Sequence, residues 1–337
     1  MKKIKVISLF SGCGGLDLGF KKKGFEIVYA NDNEKSVKET YEKNLGHSLD
    51  STDIRLVEKS KIPYGDIILA GIPCQPFSNA GKRESTMSEE GNLFKEVLEV
   101  IKVQKIKPKV VVFENVRGFL SSKDEKGSLM THRFKVEMKK VGYNTYFELL
   151  NASDYGVPSN RYRVFIICIR KDLNLNYKFP IKNDSKKITV GDILSKPLPK
   201  NENQEIWKLS PSAIDIAKYI PEGGSWKDVP YEKLPERLKK IRDNIKKYRS
   251  PNFYRRFGKD EIMGTVTAAS TPENSGILHP TELRRYSVRE IARFQSFPDT
   301  FKFYGDSVQN KYKMIGNSVP PKLASAIAGS LKEQIFS

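Results

Sequence analysis

The sequence predicts an α/β protein with a mostly parallel, doubly wound sheet, because strand-like and helix-like segments alternate over the first 170 residues. Two continuous apolar runs, residues 66–72 and 109–116, are bounded by turn or polar residues, as in strands buried on both faces of a parallel sheet. A segment with apolar residues at helical spacing, 93–106, separates them. Repeated βαβ units of this kind build an open sheet whose ligands bind beyond the carboxyl ends of the strands.

The remaining elements follow from the same criteria. The first strand runs into a glycine-rich turn, the second ends in Asn31-Asp32-Asn33, and a helical stretch then continues to Leu45. The final helix could pack back on the sheet. By these criteria strands are predicted at residues 5–10, 26–30, 144–150 and 163–169, and helices at 16–23, 287–295 and 321–335.

The composition of the chain changes after about residue 180, which predicts a second, smaller domain. Residues 182–203 are rich in Lys, Asn and Pro, and residues 231–261 carry eleven Lys or Arg against five acids, interleaved with aromatic residues. We therefore expect a catalytic and cofactor-binding domain at 1–181, a second domain at 182–284, and a segment at 285–337 that returns to the first domain.

The charge of the chain predicts a polyanionic partner. Its 337 residues include 59 Lys and Arg against 40 Asp and Glu, a formal charge of +19. Nucleic acid is favoured over a membrane, because no apolar span of 18 residues is present. Three cysteines and three isolated histidines show no metal-ligand spacing, and the N-terminus has no signal-peptide pattern, so we expect a cytoplasmic protein without a metal.

Several chemically useful side chains follow predicted strands and should meet at one edge of the sheet. The turn Phe10-Ser-Gly-Cys-Gly-Gly-Leu16 and Asp32 suit an adenosine-containing cofactor, because glycines allow close approach of the backbone and the acid can bind ribose hydroxyls. The pattern is not Gly-x-Gly-x-x-Gly, so a dinucleotide is less favoured, and a plain tight turn is the alternative interpretation.

Cys74, in Pro73-Cys-Gln-Pro-Phe-Ser78, and Glu114 form the pair that decides the functional interpretation. A thiol attacks carbon only as the thiolate, whose reference pKa is about 8.5. A carboxyl group at the end of a buried strand must be paired or protonated. Arg161 and Arg163 could supply a positive charge beside it, although arginines at a strand start are also common on surfaces.

Taken together, these residues resemble the bacterial-type DNA (cytosine-5)-methyltransferases. The matching elements occur in that family's order along almost the whole chain, interrupted at 180–280, where the family keeps a variable target-recognition domain. Ser8, in place of an acid, and Asn160 depart from its pattern. The matching blocks are Phe10-Ser-Gly-Cys-Gly-Gly, Pro73-Cys-Gln-Pro-Phe-Ser, Glu114-Asn-Val, Asp154-Tyr-Gly-Val-Pro with Arg161-x-Arg163, Arg289-Glu-x-Ala-Arg-Phe-Gln-x-Phe-Pro-Asp299, and Gly316-Asn-Ser-Val-Pro320.

The resemblance implies a Rossmann-like methyltransferase fold that uses S-adenosyl-L-methionine and double-stranded DNA. Cys74 would add to C6 of a flipped-out cytosine, Glu114 would bind N3 and the exocyclic amine, Arg163 would contact O2, and Arg161 would support that cluster. Further implied cofactor-binding residues are Phe10, Ser11, Gly12, Cys13, Gly14, Gly15, Leu16, Asp32, Asn33, Asp53, Ile54, Pro73, Leu93, Asn317 and Ser318. DNA contacts are expected at Gln75, Ser78, Lys82, Arg255 and Arg256.

The resemblance further implies a monomer near the bacterial nucleoid, either in a restriction-modification system with an endonuclease for the same site or as an orphan methylase. Three alternatives remain at this stage. They are an RNA cytosine-5 methyltransferase of the same fold, a catalytically silent DNA-binding regulator, and a Rossmann oxidoreductase, which leaves Cys74-Gln-Pro unexplained.

Overall fold

The computed structural model describes residues 3–72, 91–123, 127–183, 185–200, 203–244, 253–272 and 275–337, with the backbone alone at 91 and 92. In the described part, a six-stranded sheet has the order β2-β1-β3-β4-β6-β5. Neighbours among β1 to β4 pair in parallel, whereas β6 is antiparallel to both β4 and β5. The strands are β1 Lys5–Leu9, β2 Glu26–Asn31, β3 Ile67–Ala70, β4 Val110–Val116, β5 Tyr143–Asn151 and β6 Tyr162–Arg170.

This topology brings the carboxyl ends of β1 to β5 and the amino end of β6 to one border of the sheet, called here the carboxyl edge. The direction of winding reverses between β1 and β3, since β2 lies on the far side of β1 while β4 follows β3. Such a reversal is where open α/β sheets bind ligands. The predicted mostly parallel, doubly wound sheet is confirmed.

Ten helices are described along the chain. Their bounds are α1 Gly15–Lys22, α2 Lys38–Leu45, α3 Gly91–Val103, α4 Met130–Lys140, α5 Val190–Leu194, α6 Pro211–Ala217, α7 Glu236–Asp243, α8 Val288–Phe294, α9 Val308–Asn317 and α10 Pro321–Ile335.

The continuous apolar strands are explained by cores on both faces of the sheet. Ile68 and Ala70 belong to a cluster with α3 and α4, and the alternate residues Ile67 and Leu69 are equally buried outside that cluster. Phe134 of α4 lies within that cluster. Its ring meets that of Phe113 edge to face with centroids 4.7 Å apart, and burying one such side chain stabilises the fold by about 1.5–3 kcal/mol.

Helices α1 and α10 pack closely although they stand at opposite ends of the chain. A Cβ on Gly19 would lie 2.3 Å from the Cβ of Ala324. The hydroxyl of Ser325 donates to the carbonyl of Gly19 at 3.0 Å, and the Lys332 ammonium donates to that of Lys23 at 2.9 Å. The C-terminal helix is therefore part of the same layer as the first helix.

The chain forms two compact units. One, called here the sheet unit, comprises Met1–Asn151, Tyr162–Lys182 and Val319–Ser337. The other, called the inserted unit, comprises Ala152–Arg161 and Asn183–Ser318. The crossing at 182/183 lies next to the predicted boundary at 181/182, whereas the predicted boundary at 284/285 coincides with no division, because residues 285–318 belong to the inserted unit.

The inserted unit has a core of its own around Trp226, whose side chain is buried among residues from α6 and α7, together with Tyr254 and Leu278. No described helix is long and apolar enough to span a membrane.

Candidate active site at the carboxyl edge

The turn after β1 is held by backbone groups and by the end of β2. Phe10 and Gly14 both have positive φ, 57° and 91°. The Ser11 amide donates to the carbonyl of Asn31 at 3.1 Å, and the Gly12 amide donates to Oδ2 of Asp32 at 2.8 Å. A Cβ at position 14 would lie 2.8 Å from Leu45, so the turn requires glycine there.

A buried carboxylate lies under this turn. Asp17 of α1 is 0% exposed, and its Oδ1 and Oδ2 accept hydrogen bonds from the hydroxyls of Ser8 (2.6 Å) and Tyr41 (2.5 Å). The Ser11 hydroxyl donates to that of Ser8 at 2.9 Å, which links the turn to the carboxylate. Burial raises the pKa of Asp17 from 3.8 to about 6, against the opposing effect of the two donors. Asp17 was not among the residues predicted from the sequence. The signal that could have found it is Ser8, which replaces an acid of the family pattern and donates to Asp17.

The end of β2 continues the same surface. The Asp32 carboxylate also accepts from the Glu34 amide, and the side-chain amide of Asn31 donates to the carbonyls of Asp50 and Thr52, at 3.0 and 2.8 Å. These bonds bring the loop carrying Asp53 against β2.

Asp53 and Ile54 differ sharply in environment. The carboxylate of Asp53 is bound by both the side chain and the amide of Arg55, which hold its pKa at about 2. Ile54 is 2% exposed and packs in the cluster under α3, to which half-buried Leu93 also contributes. The exposed Asn33 lies at the surface beside Asp53, whose carboxylate its side chain also contacts.

Glu114 and Arg163 form an ion pair at the carboxyl edge. The Arg163 Nε lies 2.7 Å from Oε1 of Glu114, with both side chains only about a tenth exposed, at 12% and 10%. In the antiparallel ladder Glu114 faces Phe165 and Val116 faces Arg163, so the two charged residues are diagonal neighbours on one face. The paired carboxylate is therefore positioned by two adjacent strands.

The strand that leads to Cys74 lies between this pair and the glycine-rich turn. Strand β3 pairs with both β1 and β4, and the Gly71 amide donates to the carbonyl of Leu9 at 3.2 Å. Ile72 is the last residue described before the gap. Cys74, with Pro73, Gln75, Ser78 and Lys82, lies outside the described residues.

Arg161 binds backbone carbonyls of the inserted unit, and its predicted support of the Glu114 cluster stays a prediction. Its side chain is fully buried, and its terminal nitrogens donate to the backbone carbonyls of Val266 (2.8 Å) and Gly316 (2.7 Å), all within the inserted unit. A Cβ on Gly316 would lie 2.4 Å from the carbonyl oxygen of Thr267, so this close approach requires glycine. Arg161 therefore holds the end of α9, where Asn317 is exposed and Ser318 donates to Met314.

The whole chain also matches known proteins. A family model described as C-5 cytosine-specific DNA methylase matches residues 4–333. The chain belongs to this family. This methylase is 35% identical to the type II methyltransferase M.FnuDI of Fusobacterium nucleatum, over 98% of this chain and 95% of that protein. It is also 35% identical to M.NgoFVII of Neisseria gonorrhoeae, over 98% of this chain and 86% of that protein.

A solved structure agrees on the fold. The Dnmt2 methyltransferase of S. pombe superposes with a TM-score of 0.69 at 17% identity, covering 99% of the methylase and 100% of that chain. The predicted family and methyltransferase fold are confirmed, and the protein is a DNA (cytosine-5-)-methyltransferase.

The structure gives no support to the prediction that Arg256 of the methylase contacts DNA, which stays a prediction. Arg256 is 5% exposed, and its guanidinium donates to the backbone carbonyls of His279, Glu282 and Ala217, while burial lowers its pKa. The N–H groups of the Arg256 guanidinium therefore link the segments around Ala217 and around His279 within the inserted unit.

The structure gives no support to a DNA contact by Arg255 either. This guanidinium donates to the carbonyls of Gly223 and Gly224, pairs with Glu261, and lies over the ring of Phe257. Arg255 and Arg256 thus stabilise the fold of the unit, which a count of charges cannot reveal.

Proposed function

We propose that the carboxyl edge methylates C5 of a flipped-out cytosine in duplex DNA with S-adenosyl-L-methionine as methyl donor. The observation that carries the proposal is the Glu114–Arg163 pair, which places a carboxylate and a guanidinium beside the strand that leads to Cys74. An amidine-like ring edge and a carbonyl oxygen are the groups that such a pair can bind on cytosine.

The cofactor fits the other half of the edge. Nothing lies within 4 Å of a Cβ built on Gly12, so a ligand can approach the backbone there. Asp32 stands at the end of β2 with a carboxylate suited to ribose hydroxyls, and Phe10 offers a half-buried ring for an adenine. When bound there, S-adenosylmethionine supplies the methyl group.

Cys74, Glu114 and Arg163 then have separate roles in the reaction. The Cys74 thiolate bonds to C6, which makes C5 nucleophilic, while Glu114 holds N3 and the exocyclic amine and Arg163 holds O2. After methylation, loss of the C5 proton expels the thiolate and gives 5-methylcytosine. Flipping the base out of the helix costs a few kcal/mol and requires contacts to the DNA backbone.

Two further parts of the proposal concern specificity and context. The inserted unit selects the DNA sequence, since it is built separately from the carboxyl edge of the sheet. Membership of a restriction-modification system is supported by the type II methyltransferases to which the chain is similar.

The test uses DNA and RNA that carry 5-fluorocytosine. Fluorine cannot leave as the C5 proton does, so we expect an SDS-resistant adduct with DNA, formed only with cofactor. Cys74→Ala should abolish both the adduct and methyl transfer, whereas Cys168→Ala, in the core of β6, should retain them. Methyl transfer by Cys74→Ala above a few per cent would contradict the covalent mechanism, and adducts with RNA alone would contradict the DNA substrate.

A further inference from the structure

Arg117 and Tyr162 form an exposed pair next to the catalytic ion pair. The antiparallel ladder of β4 and β6 ends with Val116 opposite Arg163. Arg117 directly follows β4 and Tyr162 is the first residue of β6, so both lie just beyond that last pairing. The Arg117 guanidinium lies over the Tyr162 ring, 5.8 Å from its centroid, and the tyrosine is 43% exposed.

The charge of Arg117 is available at this border of the sheet. Arg163 is already paired with Glu114, and no ion pair to Arg117 is found in the part of the chain that the structure describes. The aromatic face limits the orientations of the guanidinium, so less conformational entropy is lost when it binds a ligand. An exposed, oriented arginine with a planar set of donors suits a phosphate.

The order of the strands indicates which phosphate of the DNA would lie near Arg117. The proposed cofactor half lies at β2 and β1, Cys74 follows β3, and Glu114 and Arg163 lie on β4 and β6. Arg117 follows Glu114 by three residues, at most about 10 Å of extended chain. A flipped cytosine remains attached through its sugar to the two phosphates that flank it, so those phosphates stay near the rim of the site and beside its catalytic pair.

We propose that Arg117, supported by the Tyr162 ring, binds a backbone phosphate of the DNA strand that carries the target cytosine. The proposal rests on the proposed function and identifies one residue through which the methylase binds its DNA substrate. It assigns the contact to the backbone, which carries no sequence information. Arg117 therefore contributes equally to cognate and non-cognate DNA.

The experiment measures DNA affinity against salt concentration for Arg117→Ala. We expect about tenfold weaker binding of cognate and non-cognate duplexes alike, and a slope of log affinity against log salt that is smaller by about one. Affinity for S-adenosylmethionine should not change. Tyr162→Phe should behave like wild type, because it keeps the ring, whereas Tyr162→Leu should lose part of the affinity.

Arg133→Ala is the matched control, since it removes the same charge from an exposed position on α4. The proposal is overturned if Arg117→Ala keeps the affinity and slope of Arg133→Ala, or if it relaxes preference at a single base pair, which marks a base contact. Failure of the wild-type protein to trap 5-fluorocytosine would instead count against the proposed function.

Discussion

At the scale of single residues, Asp17 is a buried carboxylate that lowers the stability of the fold where it is ionised. A fully buried carboxylate is unfavourable unless strong donors compensate it, and the hydroxyls of Ser8 and Tyr41 do so only partly, since the pKa remains raised to about 6. His47 favours the ionised form, and Asp32 opposes it. Through Ser8 and Ser11 the carboxylate supports the turn proposed to hold the cofactor.

We predict that Asp17→Asn removes a pH dependence of stability. A pKa raised in the folded state gives stability that is fully present below the unfolded value of 3.8 and is lost as the pH rises through about 6. The shift corresponds to roughly 3 kcal/mol of unfolding free energy, at about 1.4 kcal/mol per unit. Urea unfolding of wild type and variant from pH 4 to 8 measures it.

Asp53→Asn is the control for this experiment, because the pKa of Asp53 is held at about 2 and its titration lies below that range. The difference between wild type and Asp53→Asn should therefore stay flat from pH 4 to 8. A flat difference for Asp17→Asn as well would show that Asp17 does not titrate in this window.

Sequence reasoning at this scale identified residue types better than their partners. Glu114 and Arg163 were predicted to act together, and they form an ion pair. Arg161 and Arg256 carry equally suitable side chains, yet both are buried against backbone carbonyls. Which atoms an arginine contacts depends on segments a hundred residues away, such as Gly316 for Arg161, and local spacing holds no information about them.

At the scale of elements, the β4–β6 ladder fixes the geometry of the Glu114–Arg163 pair. An antiparallel neighbour places the start of β6 beside the end of β4, which a fully parallel sheet would not do. The carboxylate and the guanidinium are therefore aligned by backbone register, and their separation does not depend on a loop.

We predict that Glu114→Gln lowers turnover by about 10²–10⁴, because the amide keeps the shape but removes the charge that engages Arg163 and the ring. Affinity for S-adenosylmethionine should change little. Glu148→Gln is a suitable control, since Glu148 faces Phe165 from β5 just as Glu114 does from β4. Normal single-turnover chemistry with lost cofactor binding would contradict the assignment of Glu114.

The apolar runs predicted the strands to within about one or two residues, since burial on both faces leaves an uninterrupted signal. Helix α10 was predicted with the observed ends, 321–335. Helices α4, α5, α6, α7 and α9 were not predicted. Helices α5 and α6 are short, with five and seven residues, and charged and polar residues dilute the apolar faces of α4, α7 and α9. In α4, for example, Phe134 and Met138 are the buried residues among eleven.

At the scale of the whole molecule, the inserted unit is supplied by two separate stretches of chain. Residues 152–161 leave the sheet between β5 and β6 and join residues 183–318. Arg161 ties the first stretch to Val266 and Gly316, and the Asn160 amide donates to the carbonyl of Met263 at 2.8 Å. The composition of the chain changes close to the crossing at 182/183 but shows no comparable change after residue 284, so it gave no sign that 285–318 belong with 183–284.

We predict that specificity transfers between related methylases only when both stretches are exchanged. A chimera that takes 152–161 and 183–318 from a relative should methylate the sites of the donor, because the internal contacts of the unit are kept. A chimera that takes 183–284 alone should lose most of its activity and unfold at lower temperature. Mapping of 5-methylcytosine in cellular DNA and thermal unfolding measure the two effects.

The recipient and donor proteins are the controls for this exchange. An active double-stretch chimera that still methylates the sites of the recipient would show that the inserted unit does not determine sequence preference. Full activity of the 183–284 chimera would show that residues 152–161 and 285–318 need not come from the same protein as the segment between them.

The packing of α10 against α1 has a consequence for the synthesis of the chain on the ribosome. Helix α1 is synthesised well before α10, the helix that packs against it. Between them the ribosome must complete residues 23–320, which at about 5–20 residues per second takes on the order of tens of seconds. Throughout that interval the apolar face of α1 that packs on α10 lacks its partner, so we expect the yield of the protein in a cell to depend on protection of this face during synthesis.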